Sequence, residues 1–218
     1  MKRITMPQLL HIDASAIHDG SVSRQVARSF RDAWEGEVVY RDLGARPVPH
    51  LTEAGIVARH APAQEHDAEQ ATAAFLQEAL VEELLQAEAY LFAVPMYNFG
   101  APSTFKAWLD QVLIPGRTLG MSPDDSPIAG RPATLISVRG GAYGPGTPRE
   151  GWDFADPYLR KILTEVFGLE LRVITAELTL ADTTPAMAGL REAAAASQAA
   201  AHVAAREHAR RISARSLV

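Results

Sequence analysis

The sequence predicts an α/β protein with a doubly wound, five-stranded parallel sheet and helices on both faces, a three-layer αβα architecture. Short apolar runs of strand length alternate with longer segments in which apolar residues recur at three- and four-residue steps. This alternation is typical of parallel sheets, because each parallel strand reaches the next through a crossover that usually contains a helix. Right-handed crossovers then leave two main strand orders.

Residues 89–113 form the clearest strand, loop and helix in the sequence. Residues 89–94 are a continuous apolar run rich in aromatic and branched side chains, which indicates a buried strand. An amphipathic helix follows, with Pro102 in its first turn. Its apolar face consists of Phe105, Trp108, Leu109, Val112 and Leu113. The intervening loop, residues 95–100, follows the carboxyl end of a strand, where open parallel sheets bind ligands.

The other elements follow from the same patterns. Strands are predicted at 8–13, 37–40 and 133–138 and around 171–174. Helices are predicted from 21 onward, over 64–88, from an N-cap at Asp156 to a stop at Gly168, and over 185–211. The second of these helices is expected to bury Phe75, Leu76, Leu80 and Leu84. Residues 41–62 read as an irregular segment, which suggests a flap or a partner contact.

Composition narrows the function classes. A chain of 218 residues with 47% hydrophobic and 22% charged residues is typical of one globular domain, here 1–218. The net charge of −5 and the lack of a basic cluster argue against a nucleic-acid partner. The absence of cysteine excludes cysteine nucleophiles and thiolate metal sites. No histidine spacing indicates a metal, and no apolar run reaches the length of a membrane span, so a cytoplasmic protein is the expectation.

Three loops are predicted to meet at the switch point of the sheet, residues 15–23, 95–99 and 138–146. In the first, the hydroxyls of Ser15, Ser21 and Ser23 precede or begin a helix, whose free N–H groups favour a phosphate. Ser21 as a simple N-cap is an equally open interpretation. In the third loop, Arg139 is followed by glycines that allow close backbone approach to a ligand, although a surface ion pair explains the arginine as well.

The middle loop suits a flat, partly polar ring. Met96 and Phe99 offer apolar contact area, Tyr97 adds a hydroxyl, and Asn98 and backbone N–H groups can satisfy ring heteroatoms. A crossover loop that merely fills the core is the alternative. Neither common phosphate fingerprint, G-x-G-x-x-G after a strand or G-x-x-x-x-G-K-[ST], is present, which disfavours a Rossmann dehydrogenase or a nucleoside triphosphatase.

Residues 95–118 read P-M-Y-N-F, a small residue, and then K-x-W-L-D-Q-V-x-x-x-G-R-T. This segment resembles the signature of the FMN-dependent NADH-azoreductases, which are flavodoxin-like quinone and azo reductases. The resemblance extends over nearly the whole chain, through R-D-L at 41–43, R-G-G at 139–141, D-x-x-x-P-Y-L at 153–159 and A-E at 176–177. It implies the flavodoxin-like strand order.

The resemblance also implies a set of FMN contacts. They are Ser15, Ser21, Val22, Ser23, Met96, Tyr97, Asn98, Phe99, Val138, Arg139, Gly140 and Gly141. Asn98 is expected beside the N5 side of the ring and 139–141 beside its pyrimidine side, while Tyr143 and Phe99 would shape the acceptor pocket. Two positions depart from the family pattern, Val138 in place of a serine and Leu119 in place of a phenylalanine. They put one hydroxyl contact and one aromatic wall in doubt.

The implied activity is a two-electron, ping-pong reduction of quinones and azo compounds with NADH or NADPH as donor. The flavin carries the chemistry, so no catalytic side chain is assigned, and Asn98 and Tyr143 are candidate positioning residues. The family implies a homodimer with active sites at the subunit interface. A flavodoxin-like electron carrier or a sensor is the alternative, but the mild net charge and the long loops favour the enzyme. The physiological acceptor and the preferred donor stay open.

Overall fold

The computed structural model describes residues 6–216 and builds its centre from parallel strands. In chain order these are β1 (Gln8–Asp13), β2 (Glu37–Asp42), β3 (Ala89–Pro95), β4 (Pro132–Val138) and β5 (Glu170–Ala176). They pair in the order β2-β1-β3-β4-β5, and every pair is parallel. This confirms the predicted flavodoxin-like sheet and brings the carboxyl ends of β1, β3 and β4 side by side.

Helices cover both faces of the sheet. They are α1 (Val22–Arg31), α2 (Glu53–Ala58), α3 (Ala68–Gln86), α4 (Ser103–Val112), α5 (Ala155–Lys161) and α6 (Arg191–Ser216). Apolar residues of α3, α4 and α5 join one core cluster, whereas those of α1 and α6 join a second cluster on the other face. Strand β3 is buried on both faces because it contributes alternate side chains to each cluster.

Two predicted positions on the helices are wrong. Phe75 on α3 is 80% exposed. It stands five residues, or about 140°, from the buried Leu80, so the face that packs on the sheet turns it outward. Asp156 is not an N-cap, since it lies inside α5. The carboxylate of Asp153 caps this helix instead, accepting from the N–H groups of Ala155 and Asp156 at 2.9 Å each.

Residues 41–62 are more ordered than predicted. Strand β2 continues to Asp42, and α2 begins after Thr52, whose hydroxyl accepts from the N–H of Gly55 at 3.2 Å. Arg59 then donates to the carbonyl of Asp110 at 2.6 Å, which fastens the segment to α4. The pattern hid α2 because the helix is only six residues long and contains a glycine.

Candidate functional site

The loop after β1 gathers three buried hydroxyls at the start of α1. Ser21 Oγ donates to Ser15 Oγ at 3.0 Å and lies 3.1 Å from Ser23 Oγ. Ser21 occupies the N-cap position, yet its side chain makes no capping hydrogen bond to the helix. Val22 is the first helical residue. The hydroxyls thus converge where free helix N–H groups and the positive end of the helix dipole favour an anion.

Arg24 supports this loop from behind. Its Nη2 donates to the carbonyl of Ser15 at 2.7 Å and its Nε to that of Ile17 at 3.0 Å. The same guanidinium pairs with Asp42 and Asp13. Burial is the largest single influence on Asp42 and raises its pKa. The hydrogen bonds and charge of Arg24, together with the N–H groups of Ala45 and Gly44, outweigh it and lower that pKa to about 2. Arg24 is therefore committed to carboxylates and carbonyls, and it fixes the course of the loop.

The loop after β3 contains a tight, strained turn. The N–H and carbonyl of Tyr97 exchange hydrogen bonds with those of Gly100 at 2.9 and 3.0 Å. Between them Asn98 has φ 48° and Phe99 has φ 70°, so both central residues are left-handed, as in a type I′ turn. Asparagine tolerates this conformation, but a phenylalanine there stores strain of roughly 1–3 kcal/mol. Such strain is typical of ligand-binding loops.

Tyr97 joins the first two loops. Its hydroxyl lies 3.3 Å from Ser15 Oγ and accepts from the N–H of Ala16 at 3.0 Å. The predicted meeting of these loops is present in the structure.

A cavity of about 750 Å³ opens beside the turn. Of the predicted site residues, it is lined by Met96, Asn98, Phe99, Gly140, Gly141 and Tyr143. The Phe99 ring packs edge to face against Tyr143, with centroids 6.4 Å apart, and against Trp152 at 5.5 Å. The dimensions and the mixture of apolar walls with backbone amides suit a planar ring system.

Two predicted residues of the third loop lie away from this cavity. The Val138 side chain packs in the core, and its carbonyl accepts from the N–H of Met96 at 2.7 Å. The Arg139 guanidinium is turned to three carboxylates, with Asp153 at 3.0 Å, Glu177 at 3.1 Å and Asp156 at 3.6 Å. Arg139 is therefore paired, as the alternative interpretation had it, although the pairs are buried instead of lying on the surface. Of residues 138–141, only Gly140 and Gly141 reach the cavity wall.

Several residues that line the cavity were not among the predicted site residues. The far wall comes from the loop after β4, at Gly146, Thr147, Pro148 and Arg149, and from the segment after β5. In that segment Leu178, with φ 63°, Leu180, Thr184, Met187 and Leu190 line the cavity. The glycine-rich sequence at 140–151 pointed to the first group, but nothing periodic marked the second.

Other sequence features lie elsewhere. Leu119 packs against the core and does not line the described part of the cavity. No residue of 41–62 lines it either. His11 is buried in the sheet, with its Nε2 3.3 Å from Asp13 Oδ1. Within residues 6–216 no cluster of three potential metal-ligating side chains occurs. No helix in that range is both long and apolar enough to cross a membrane.

Comparison with known proteins first defines the class. A family model described as flavodoxin-like fold matches residues 7–203. An azoreductase of Bacillus anthracis has the same fold, with a TM-score of 0.79 at 20% identity over 94% of this chain and all of that chain. A FMN-dependent NADH-azoreductase from another strain of that species, solved in complex with FMN, gives a TM-score of 0.77 at 20% identity over 95% and 100%. The fold is that of the flavodoxin-like class.

Sequence relatives then give the family. The FMN-dependent NADH:quinone oxidoreductase of Frankia casuarinae is 44% identical over 206 residues, or 92% of this chain and 98% of that protein. Its namesake in Streptomyces avermitilis is 47% identical over 203 residues, or 90% and 93%. The chain belongs to the family of FMN-dependent NADH:quinone oxidoreductases, which has the flavodoxin-like fold. This confirms the resemblance found in residues 95–118.

Proposed function

We propose that this protein binds FMN and uses NADH or NADPH to reduce quinones and azo compounds. The observation that carries the proposal is the continuity between two features, the hydroxyl cluster at the start of α1 and the cavity beside the Asn98–Phe99 turn. Tyr97 joins them through its contacts with Ser15 and Ala16. A flavin mononucleotide has a phosphate and a planar ring that match this pairing of an anion-binding helix end with a flat, largely apolar space.

The donor set fits FMN without further groups. Ser15, Ser21 and Ser23, with the N–H groups at the start of α1, would hold the phosphate. Met96, Asn98 and Phe99 would contact the ring from one side and Gly140 and Gly141 from the other. A Cβ added at Gly141 would lie 3.6 Å from the Tyr143 ring, so glycine keeps this wall open. Tyr97 and Val138 do not line the cavity and would instead hold the loops around it, through the Tyr97 hydroxyl and the Val138 carbonyl. Arg139 would orient the third loop through its ion pairs.

FMN, when bound, supplies the redox chemistry, passing two electrons from the dinucleotide to the acceptor. The chain's residues bind, orient and exclude water. Asn98 presents an amide to the ring edge, and Phe99 and Tyr143 form an aromatic wall against which an acceptor ring can stack. In balance, NADH, one proton and a quinone give NAD⁺ and a hydroquinone.

We further propose a homodimer with the site at its interface. Large apolar side chains beside the cavity are exposed, namely Trp152 at 54%, Phe154 at 64% and Leu180 at 52%. An apolar patch of this kind next to a binding site is typical of a protein interface. Light scattering coupled to gel filtration tests the assembly, and Trp152→Ser with Phe154→Ser should shift it toward the monomer.

The function is tested by spectroscopy of the purified protein, before and after addition of FMN and then of NADH without oxygen. A flavin that stays with the protein through gel filtration, and whose absorbance bleaches with NADH, supports the cofactor and the donor. Steady NADH oxidation with menadione then supports the enzyme, whereas a bound flavin without turnover would favour an electron carrier or a sensor. A protein that binds no FMN under any condition contradicts the proposal.

A further inference from the structure

Arg149 stands alone as a charged residue in the cavity wall. All the other side chains that line the described cavity are neutral, and no Asp or Glu is among them. Arg149 lies over the Phe99 ring, with its guanidinium carbon 5.6 Å from the ring centroid, and its Nη1 is 3.5 Å from the Tyr143 hydroxyl. A fixed positive charge therefore borders the two aromatic side chains against which an acceptor would stack.

Within residues 6–216 no carboxylate forms an ion pair with Arg149, and the acidic residues of the surrounding segments have other partners. Asp153 caps α5 and pairs with Arg139, and Glu177 pairs with Arg139 as well. Asp156 is shared between Arg139 and Arg160. Glu150 follows Arg149 directly, but its carboxylate accepts from the N–H of Gly146 at 2.8 Å.

The loop that carries Arg149 is locally braced. Thr147 Oγ1 donates to the carbonyl of Gly144 at 2.8 Å, and the N–H of Trp152 donates to the carbonyl of Arg149 at 3.1 Å. These bonds lie on both sides of Arg149, so the guanidinium is presented from an ordered turn. An ordered cation loses less conformational entropy on binding than a free one.

We propose that Arg149 makes the site select planar acceptors with a sulfonate or carboxylate attached directly to the ring system. The inference rests on the proposed function and names a substrate class for the same site. A directly attached anion keeps its charge at the edge of the stacked ring, where the guanidinium lies beside Phe99 and Tyr143. Arginine suits this role because its planar fork binds such oxyanions through two parallel hydrogen bonds.

The test measures equilibrium binding to the oxidised, FMN-loaded protein, with no donor present and hence no turnover. The probes are 1,4-naphthoquinone-2-sulfonate and the neutral quinone menadione. Calorimetry measures the binding of each. Arg149→Met should bind the sulfonate about tenfold more weakly, the loss expected for one charge-assisted contact. Its affinity for menadione should not change. Arg149→Lys should fall between, and Arg210→Met, which removes an exposed cation from α6, should match the wild type.

Two further measurements sharpen the result. Added salt should weaken sulfonate binding in the wild type but not in Arg149→Met. The second measurement is the rate of flavin reduction by NADH, which in Arg210→Met should equal that of the wild type. In Arg149→Met, equal losses for both quinones, or no loss, would overturn the role of Arg149 in acceptor choice, and so would a slower reduction by NADH with an unchanged preference between quinones. Menadione turnover in the same proteins leaves the proposed function standing in each of these cases, whereas a wild type that binds no FMN overturns both proposals.

Discussion

Arg24 and Asp42 form a bidentate ion pair directly behind the hydroxyl cluster, with two nitrogen–oxygen distances of 2.7 Å. The pair joins α1 to the end of β2, and the same guanidinium holds the carbonyls of Ser15 and Ile17. The course of the loop after β1 is therefore set by a contact that lies outside the hydroxyl cluster itself.

Arg24→Gln should weaken FMN binding by about tenfold or more, because the loop loses two carbonyl contacts and Asp42 loses its partner. Riboflavin, which lacks the phosphate, should bind as it does to the wild type. Fluorescence titration with both flavins checks this. Arg41→Gln, which breaks the Arg41–Glu83 pair away from the loop, is the matched control. Equal weakening for both flavins would mean that Arg24 supports the fold in general and not the phosphate loop.

Gly141→Ala should lower FMN affinity while the free energy of unfolding of the flavin-free protein changes by less than about 0.5 kcal/mol. The atoms nearest to the added Cβ belong to Tyr143, at the ordinary contact distance of 3.6 Å, so the flavin-free protein has room for it. The same methyl group would occupy space that the FMN ring is proposed to fill. Gly144→Ala, with nothing within 4 Å of its added Cβ, serves as the control. FMN titration and urea unfolding give the two numbers, and unchanged FMN affinity would place the ring elsewhere.

Asn98→Gly isolates the amide of Asn98 from its backbone conformation. Glycine accepts φ 48° without strain, so the turn should persist and any effect belongs to the lost side chain. We expect slower flavin reduction by NADH, by about fivefold, which corresponds to one hydrogen bond of roughly 1 kcal/mol. Asn98→Ala should be slower still, because alanine is strained at this φ. Rates equal to the wild type in both variants would remove Asn98 from the ring contacts.

His208 makes stability depend on pH. Burial, followed by the nearby cations of Arg211, Arg172 and Arg215, lowers its pKa to about 4. As the pH falls, the His208 side chain of the unfolded chain therefore binds a proton near its usual pKa of about 6.5. The same side chain in the folded protein binds a proton only at lower pH. The stabilising contribution is complete above that value and is lost as the pH falls toward and through about 4.

The measurement is urea unfolding at pH 7 and pH 5 for the wild type and His208→Leu. The free energy of unfolding should fall less between these pH values in the variant, which has nothing to protonate at this position. His60→Leu, at an exposed histidine, should behave as the wild type. If His208→Leu shows the full pH dependence, another group is responsible.

Strand β3 was predictable because it is a short apolar run between segments of helical period. Residues 89–94 needed no tertiary information, since burial on both faces leaves a continuous apolar pattern. Asp153 and Asp156 show where local reasoning stops. Both precede or begin α5 within three positions, and only the course of the chain decides which carboxylate reaches the free N–H groups. Phe75 likewise looked buried, but the rotation of α3 on the sheet exposed it.

The candidate site also has a part that could be predicted from the sequence and a part that could not. The serines and the Asn98 turn follow strands directly, so strand order alone brings them together. The wall at Leu178 and Leu180 could not be predicted, because it depends on a left-handed residue that is not glycine and on how the chain leaves β5. Arg149 was missed for a related reason. It lies in a loop without periodicity, and its proposed role depends on the neutral character of the other residues that line the described cavity.

The Arg139 ion pairs affect which sequence changes this protein can tolerate in evolution. They tie together both ends of the loop that carries Arg149, since Arg139 stands at its beginning and Asp153 at its end. Substitutions, insertions or deletions between these anchors would alter the proposed acceptor wall while the glycines at 140 and 141 stay in place. New acceptor preferences could thus arise in this loop without a redesign of the proposed flavin site.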